Sequence, residues 1–138
     1  MHLKAAVLLG CLATPPLAAQ CLVAVESIDF PAYDPSDPAP LDGEGRLTLW
    51  CEDRTAVSIA ITPGPAARRL AGPTGELPYQ LYRDAARTRP WGDGIDGEAR
   101  RLINPGRRQT LSIYARIPPG HHPPPGTYHD LVVVEVRW

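Results

Sequence analysis

Apolar residues along this chain recur every second position in short runs, and proline and glycine separate the runs. Over residues 21–30, Leu22, Ala24, Glu26 and Ile28 share one register and Val23, Val25 and Ser27 the other, until Pro31 ends the run. Residues 46–51 set Leu47, Leu49 and Cys51 against Arg46, Thr48 and Trp50. Residues 56–62 turn Val57, Ile59 and Ile61 inward, and Pro63-Gly64-Pro65 stops them. Short strands are expected over 68–70 and 77–82, the second with Leu77, Tyr79 and Leu81 on one face. Residues 110–117 alternate Leu111, Ile113 and Ala115 with Ser112, Tyr114 and Arg116. The longest expected strand is 127–138, with Tyr128, Val132, Val134 and Val136 on one face and Leu131, Val133, Glu135 and Arg137 on the other. Successive strand side chains point to opposite faces, so each run reads as a half-buried strand. Residues 84–109, rich in Gly, Arg and Asp, are expected to be irregular, and the prolines from 118 to 125 exclude regular structure before the last strand. Helix signals are few, and the pattern predicts an all-β sandwich or barrel.

The last strand carries only valine on the later part of its inward face, and its outward face is half apolar. An unpaired strand edge exposes a row of N–H and C=O groups, so such a strand needs neighbours on both sides. Either an earlier strand of the same chain closes this edge, or the edge is left for a partner.

Length and the N-terminal pattern define the expected domains. The chain has 138 residues, enough for one domain. His2 and Lys4 precede an apolar run over residues 5–12, Pro15 and Pro16 break it, and Leu17-Ala18-Ala19 offers small residues to a signal peptidase. This is the layout of a secretory signal, too short in its apolar part to span a bilayer. Residues 1–19 are therefore expected to be a signal peptide cleaved after Ala19, and residues 20–138 the exported domain. Leu8-Leu9-Gly10-Cys11 leaves a lipoprotein signal as the alternative. No other stretch reads as a transmembrane helix.

Removing Lys4 leaves 13 Arg against 15 Asp and Glu, a net charge of −2. That balance argues against nucleic acid or an anionic membrane as the main partner. Of three cysteines, Cys11 is expected to leave with the signal, and an even pair in an exported chain reads as a disulfide between Cys21 and Cys51.

Other chemistry is sparse. His121, His122 and His129 with Asp130 lack the helical spacing of metal motifs, and residues 93–98 lack the alternate ligands of a calcium loop. Trp91 beside Gly92 reads as a loop anchor rather than a sugar platform. Ser27, Ser36, Ser58 and Ser112 lie in no nucleophile elbow. No catalytic residue, metal site or cofactor is expected.

Several segments in order carry a family resemblance. These are Cys21 through Phe30 with Tyr33-Asp34-Pro35, then Gly45-Arg46-Leu47-Thr48-Leu49-Trp50-Cys51. Tyr79-Gln80-Leu81-Tyr82-Arg83-Asp84 leads to Thr88-Arg89-Pro90-Trp91-Gly92-Asp93-Gly94, and Tyr114-Ala115-Arg116-Ile117-Pro118 precedes Gly126-Thr127-Tyr128-His129-Asp130 and the valine strand. Together they resemble the spore coat protein U domain, the family of archaic chaperone–usher pilins, over nearly the whole exported chain. The resemblance implies an incomplete, pilin-type immunoglobulin-like β-sandwich that lacks its final strand. It implies a periplasmic chaperone, an outer-membrane usher and neighbouring pilin subunits as partners, and passage through the periplasm to the cell surface. It places Tyr128, Val132, Val134, Val136 and Trp138 at the strand-acceptor groove. Cleavage after Ala19 leaves only Gln20 before Cys21, so this chain is expected to accept a strand without donating one, as a tip or terminal subunit with a possible adhesive role. A free-standing exported module that recognises a surface or glycan through residues 84–109 is the alternative.

Overall fold

Eleven strands and one 3-10 turn build two facing sheets in the computed structural model, which describes residues 2–9 and 20–138. The expected cleavage region, residues 10–19, lies outside the described residues. The strands are β1 (His2–Leu9), β2 (Cys21–Val25), β3 (Ile28–Asp29), β4 (Leu41–Cys51), β5 (Arg54–Thr62), β6 (Arg69–Ala71), β7 (Glu76–Pro78), β8 (Gln80–Tyr82), β9 (Arg100–Pro105), β10 (Gln109–Ile117) and β11 (His129–Arg137). One sheet runs β2-β4-β10-β8. The other runs β3-β1-β11-β5-β9, with β6 attached to β11 and β7 to β6.

Alternation decides the packing. Val57, Ile59 and Ile61 of β5 and Val132, Val134 and Val136 of β11 face Leu47, Leu49, Leu111, Ile113, Ala115 and Ile117 of the opposite sheet, all buried. The outward positions Trp50 and Leu131 remain exposed.

Two strands expected as single runs are divided, because the chain changes sheet within each. β2 pairs with β4, while β3 belongs to the other sheet, so the crossing falls at Glu26-Ser27. Two glycines of β4 make room for it. A Cβ at Gly45 would stand 2.4 Å from Ile28 Cγ1, and one at Gly43 3.0 Å from the Phe30 ring. The second change of sheet is at Tyr79, between β7 and β8. Switching strands turn the corners of a sandwich.

The expectation of irregular structure over 84–109 is corrected. β9 lies inside that stretch and pairs antiparallel with β5, Ile59 opposite Arg100 through Arg54 opposite Pro105. Paired arginines at its start mask the alternation, and an edge strand tolerates charge and a terminal proline. β4 likewise begins five residues before the expected Arg46, through the glycine-containing stretch that a propensity reading discounts.

Cys21 and Cys51 sit directly opposite each other in the β2–β4 ladder and form a buried disulfide. It closes a loop with a sequence separation of 30. In the chain-entropy account such a closure stabilises by about 3–4 kcal/mol. Cys21→Ser with Cys51→Ser is therefore expected to lower the free energy of unfolding by roughly that amount, read as the shift in midpoint of a urea titration.

Candidate strand-acceptor site

β11 depends on a neighbour remote in sequence. On one side it pairs antiparallel with β5, Val133 opposite Thr62 through Arg137 opposite Ser58. On the other it pairs parallel with β1, from His2 opposite His129 through Leu9 opposite Val136. β1 pairs in turn with β3 at His2–Asp29 and Leu3–Ile28. β1 thus lies in a slot one strand wide, walled by β11 and β3, which stand about 10 Å apart as two inter-strand spacings. The segment in the slot is the one whose sequence reads as the signal peptide.

The inward wall of the slot is regular. Val132, Val134 and Val136 are buried and alternate with Leu131, Val133 and Glu135 on the outer face. Tyr128 lies just before β11, fully enclosed, its hydroxyl donating to the Pro124 carbonyl. A Cβ at Gly72 would stand 2.4 Å from the Tyr128 ring, so glycine is required for the ring to lie flat against the backbone. The Tyr79 hydroxyl donates to Asp130 Oδ2 at 2.5 Å, tying the β7–β8 corner to the start of β11. Burial, then this hydrogen bond to Asp130, pushes the Tyr79 phenol well above its ordinary range. Trp138 follows β11 and lines a shallow apolar hollow with Val57, Leu102 and Ile103, residues of β5 and β9.

Behind β5 a buried polar knot holds the strands in register. The Arg68 side chain is wholly enclosed and donates to Pro63 O at 3.0 Å, Gln80 Oε1 at 2.7 Å, Ile61 O at 3.1 Å and Trp91 O at 2.5 Å. Burial lowers its pKa to about 10, and the oxygens that accept its hydrogen bonds are carbonyl oxygens, which solvate the charge. Trp91 is also fully buried, and its Nε1–H donates to Ile59 O at 2.8 Å. The Arg100 guanidinium lies 5.7 Å from the centre of its ring. Asn104, buried near the end of β9, accepts the Gly106 N–H at 2.9 Å and donates to Arg107 O at 3.0 Å.

The acidic loop after Trp91 uses its carboxylates internally. Asp93 Oδ1 accepts the N–H groups of Ile95 and Asp96, and Asp96 Oδ2 accepts that of Ala66. The bonds from Ile95 and Asp96 hold the Asp93 carboxyl below its ordinary value. Among the described residues, no three His, Cys, Asp or Glu side chains gather as metal ligands, and no helix is long and apolar enough to cross a membrane.

Sequence reasoning missed Arg68, Asn104, the Tyr79–Asp130 bond and the role of β3 as the far wall. For β3 a signal exists, the break in alternation at Glu26-Ser27 before Ile28. The polar groups carry none, since their partners are 2 to 55 residues away at no fixed spacing.

The fold and slot define a class: an all-β sandwich with one disulfide and a sheet completed by a strand from outside its sequential neighbours. The Spore Coat Protein U domain family matches residues 9–135, and this chain belongs to that family. Protein U of Myxococcus xanthus is 30% identical over 129 residues, covering 81% of this chain and 72% of that protein. A chain from the CsuC-CsuE chaperone-tip adhesion subunit pre-assembly complex of the archaic chaperone-usher Csu pili of Acinetobacter baumannii shares the fold, with a TM-score of 0.62 and 22% identity. That match covers 88% of this chain and 40% of the other, so this chain spans about two fifths of its length.

Two outcomes test the supports of the site. Arg68→Met orphans buried carbonyl oxygens and is expected to destabilise by about 3 kcal/mol or more, read by chemical denaturation. For acid, the sign follows from depressed folded-state pKa values. Asp42, held down chiefly by its hydrogen bond from Arg116, and Asp93 and Asp84, held down by their own loops, stabilise the fold above the ordinary Asp range. That contribution is lost as pH falls through the folded values. The thermal midpoint is expected to drop between roughly pH 5 and pH 2, and Asp93→Asn to make the drop shallower.

Proposed function

We propose that this protein is an exported structural subunit of a surface fibre or coat, assembled by strand complementation. The observation that carries the reading is the slot between β3 and β11, which takes a whole strand remote in sequence from both walls. Strand addition at a sheet edge gains affinity from backbone hydrogen bonds and register from alternating side-chain positions. Val132, Val134 and Val136 supply the alternation, Tyr128 closes one end of the strand and Trp138 follows the other. A periplasmic chaperone would fill the slot during export, an outer-membrane usher would receive the complex, and a strand from a neighbouring subunit would replace the chaperone's. Family membership and the likeness in fold to a chain from a chaperone–tip subunit complex support a chaperone and neighbouring subunits as partners. With processing after Ala19 the exported domain has a strand to receive and none to give, which suits a terminal subunit.

The test is co-expression with the cognate chaperone and purification from the periplasm. A stable complex is expected, and a stable processed monomer in its absence would overturn the reading. Val134→Asp places an unpaired charge in the slot. It is expected to weaken capture at least about 100-fold, about 3 kcal/mol, whereas Leu131→Asp on the exposed face leaves capture unchanged.

A further inference from the structure

We propose that the outward face of β5 is a binding site for an acidic saccharide, with Arg101 and Arg137 holding its carboxylate across Ser58. The site adds a ligand to the assembly reading and does not rest on it. In the sheet, β11 separates this face from the slot.

The shape comes from the pattern of side-chain sizes. On β5, Ala56, Ser58 and Ala60 point outward and alternate with the buried Val57, Ile59 and Ile61. Larger side chains flank these small ones on both neighbouring strands. Ser58 stands opposite Arg101 of β9 on one side and Arg137 of β11 on the other, while Ala56 faces Ile103 and Ala60 faces Glu135. A row of small residues between two rows of large ones forms a trough. Two hollows open from it, of about 560 and 660 Å³, and both are lined by Ser58 and Arg101. Each falls within the roughly 300–1,000 Å³ of small-ligand sites. The first is the apolar hollow of Trp138 and Ile103. The second is bounded by Arg83, Glu98, Gly94 and Gly97.

The lining selects the class of ligand. Arg101 is exposed and has no ion pair among the described residues, so its guanidinium is free to bind. Across Ser58, Arg137 is held by Glu135 at 2.6 Å. A guanidinium presents a planar fork of N–H donors that matches a carboxylate. In the second hollow the Arg83–Glu98 pair is loose, at 3.4 Å, and Glu98 is largely exposed. Each hollow is also lined by a residue with a buried N–H that lacks an acceptor among the described residues, Trp138 Nε1 in the first and Arg83 Nε in the second. Such orphan donors are matched by an oxygen-rich ligand. Donors, a hydroxyl, two carboxylates and the apolar surfaces of Trp138 and Ile103 together suit a sugar ring, which has hydroxyls on its rim and an apolar face.

Other partners fit less well. β5 is paired on both sides, so the trough offers an acidic peptide no free backbone edge. Glu98 and Glu135 repel a dense polyanion, whereas they accept hydrogen bonds from hydroxyl groups. A saccharide that carries one carboxylate among neutral rings meets both conditions.

The experiment uses the exported chain purified from the periplasm, with its chaperone where the two co-purify and the chaperone alone as the blank. Fluorescence polarisation follows two labelled probes, a hyaluronan tetrasaccharide and sialyllactose. Saturable binding of at least one is expected, with its neutral counterpart (the methyl ester or lactose) weaker by roughly tenfold, the loss of one charge-assisted contact. Arg101→Gln is expected to weaken binding by a similar factor with the urea midpoint unchanged, and Arg107→Gln, outside the trough, to leave binding as it is. Ser58→Glu sets a carboxylate between the two arginines and is expected to abolish binding; it is the variant read should Arg101→Gln disturb the fold. Failure of both acidic probes to bind saturably would overturn the proposal, as would equal binding of the neutral forms or indifference to the substitutions in the trough. Polyglutamate bound as tightly as the saccharides would overturn it too, by showing a site for charge alone.

Discussion

The backbone of β11 carries hydrogen-bonding groups on both edges, and residues 20–138 satisfy only one of them along its length. β5 takes one side. The other side requires an eight-residue partner that residues 20–138 do not supply in this structure. Much else follows from that constraint. The valines of the inner face pack against the opposite sheet, and among the described residues β3 joins its sheet through β1. A sheet one strand short is open to aggregation at its free edge, and it is also a binding site of high directional specificity.

The rest of the molecule is arranged to keep that slot in shape. The disulfide pins β2 to β4 at the start of β2. The Gly43 and Gly45 gaps let the chain cross between sheets and bring Ile28 to the far wall. Arg68 links β5, β8 and the Trp91 loop through oxygen acceptors, which fixes β5 and hence the side of β11 that is always paired. Tyr79 and Tyr128 hold the start of β11 against its corner. Their hydrogen bonds hold β5, β11 and the corners between the sheets in place.

Much of this was legible in the sequence. Period-two alternation placed β5, β10 and β11 and assigned their inward residues, because side-chain direction in a strand is a local property. The two cysteines foretold their bond from number and expected compartment. Proline and glycine marked most of the strand ends. β9 escaped because its arginines hide the alternation and its place as an edge strand is decided by β5, more than forty residues earlier at its nearest register pair.

What the sequence by itself determined was therefore the all-β class, the inward faces and the lone disulfide, all functions of local pattern or of residue count. Tertiary structure alone decided where the chain changes sheets, which groups satisfy the buried Arg68 and Asn104, and what covers β11. Those outcomes depend on groups brought together across the sequence, and hydrogen-bond partners at such separations leave no periodic trace. The apolar run at the N-terminus illustrates the difference. Its composition leads to the expectation of an export signal, and only the folded register puts residues 2–9 in the slot beside the last strand.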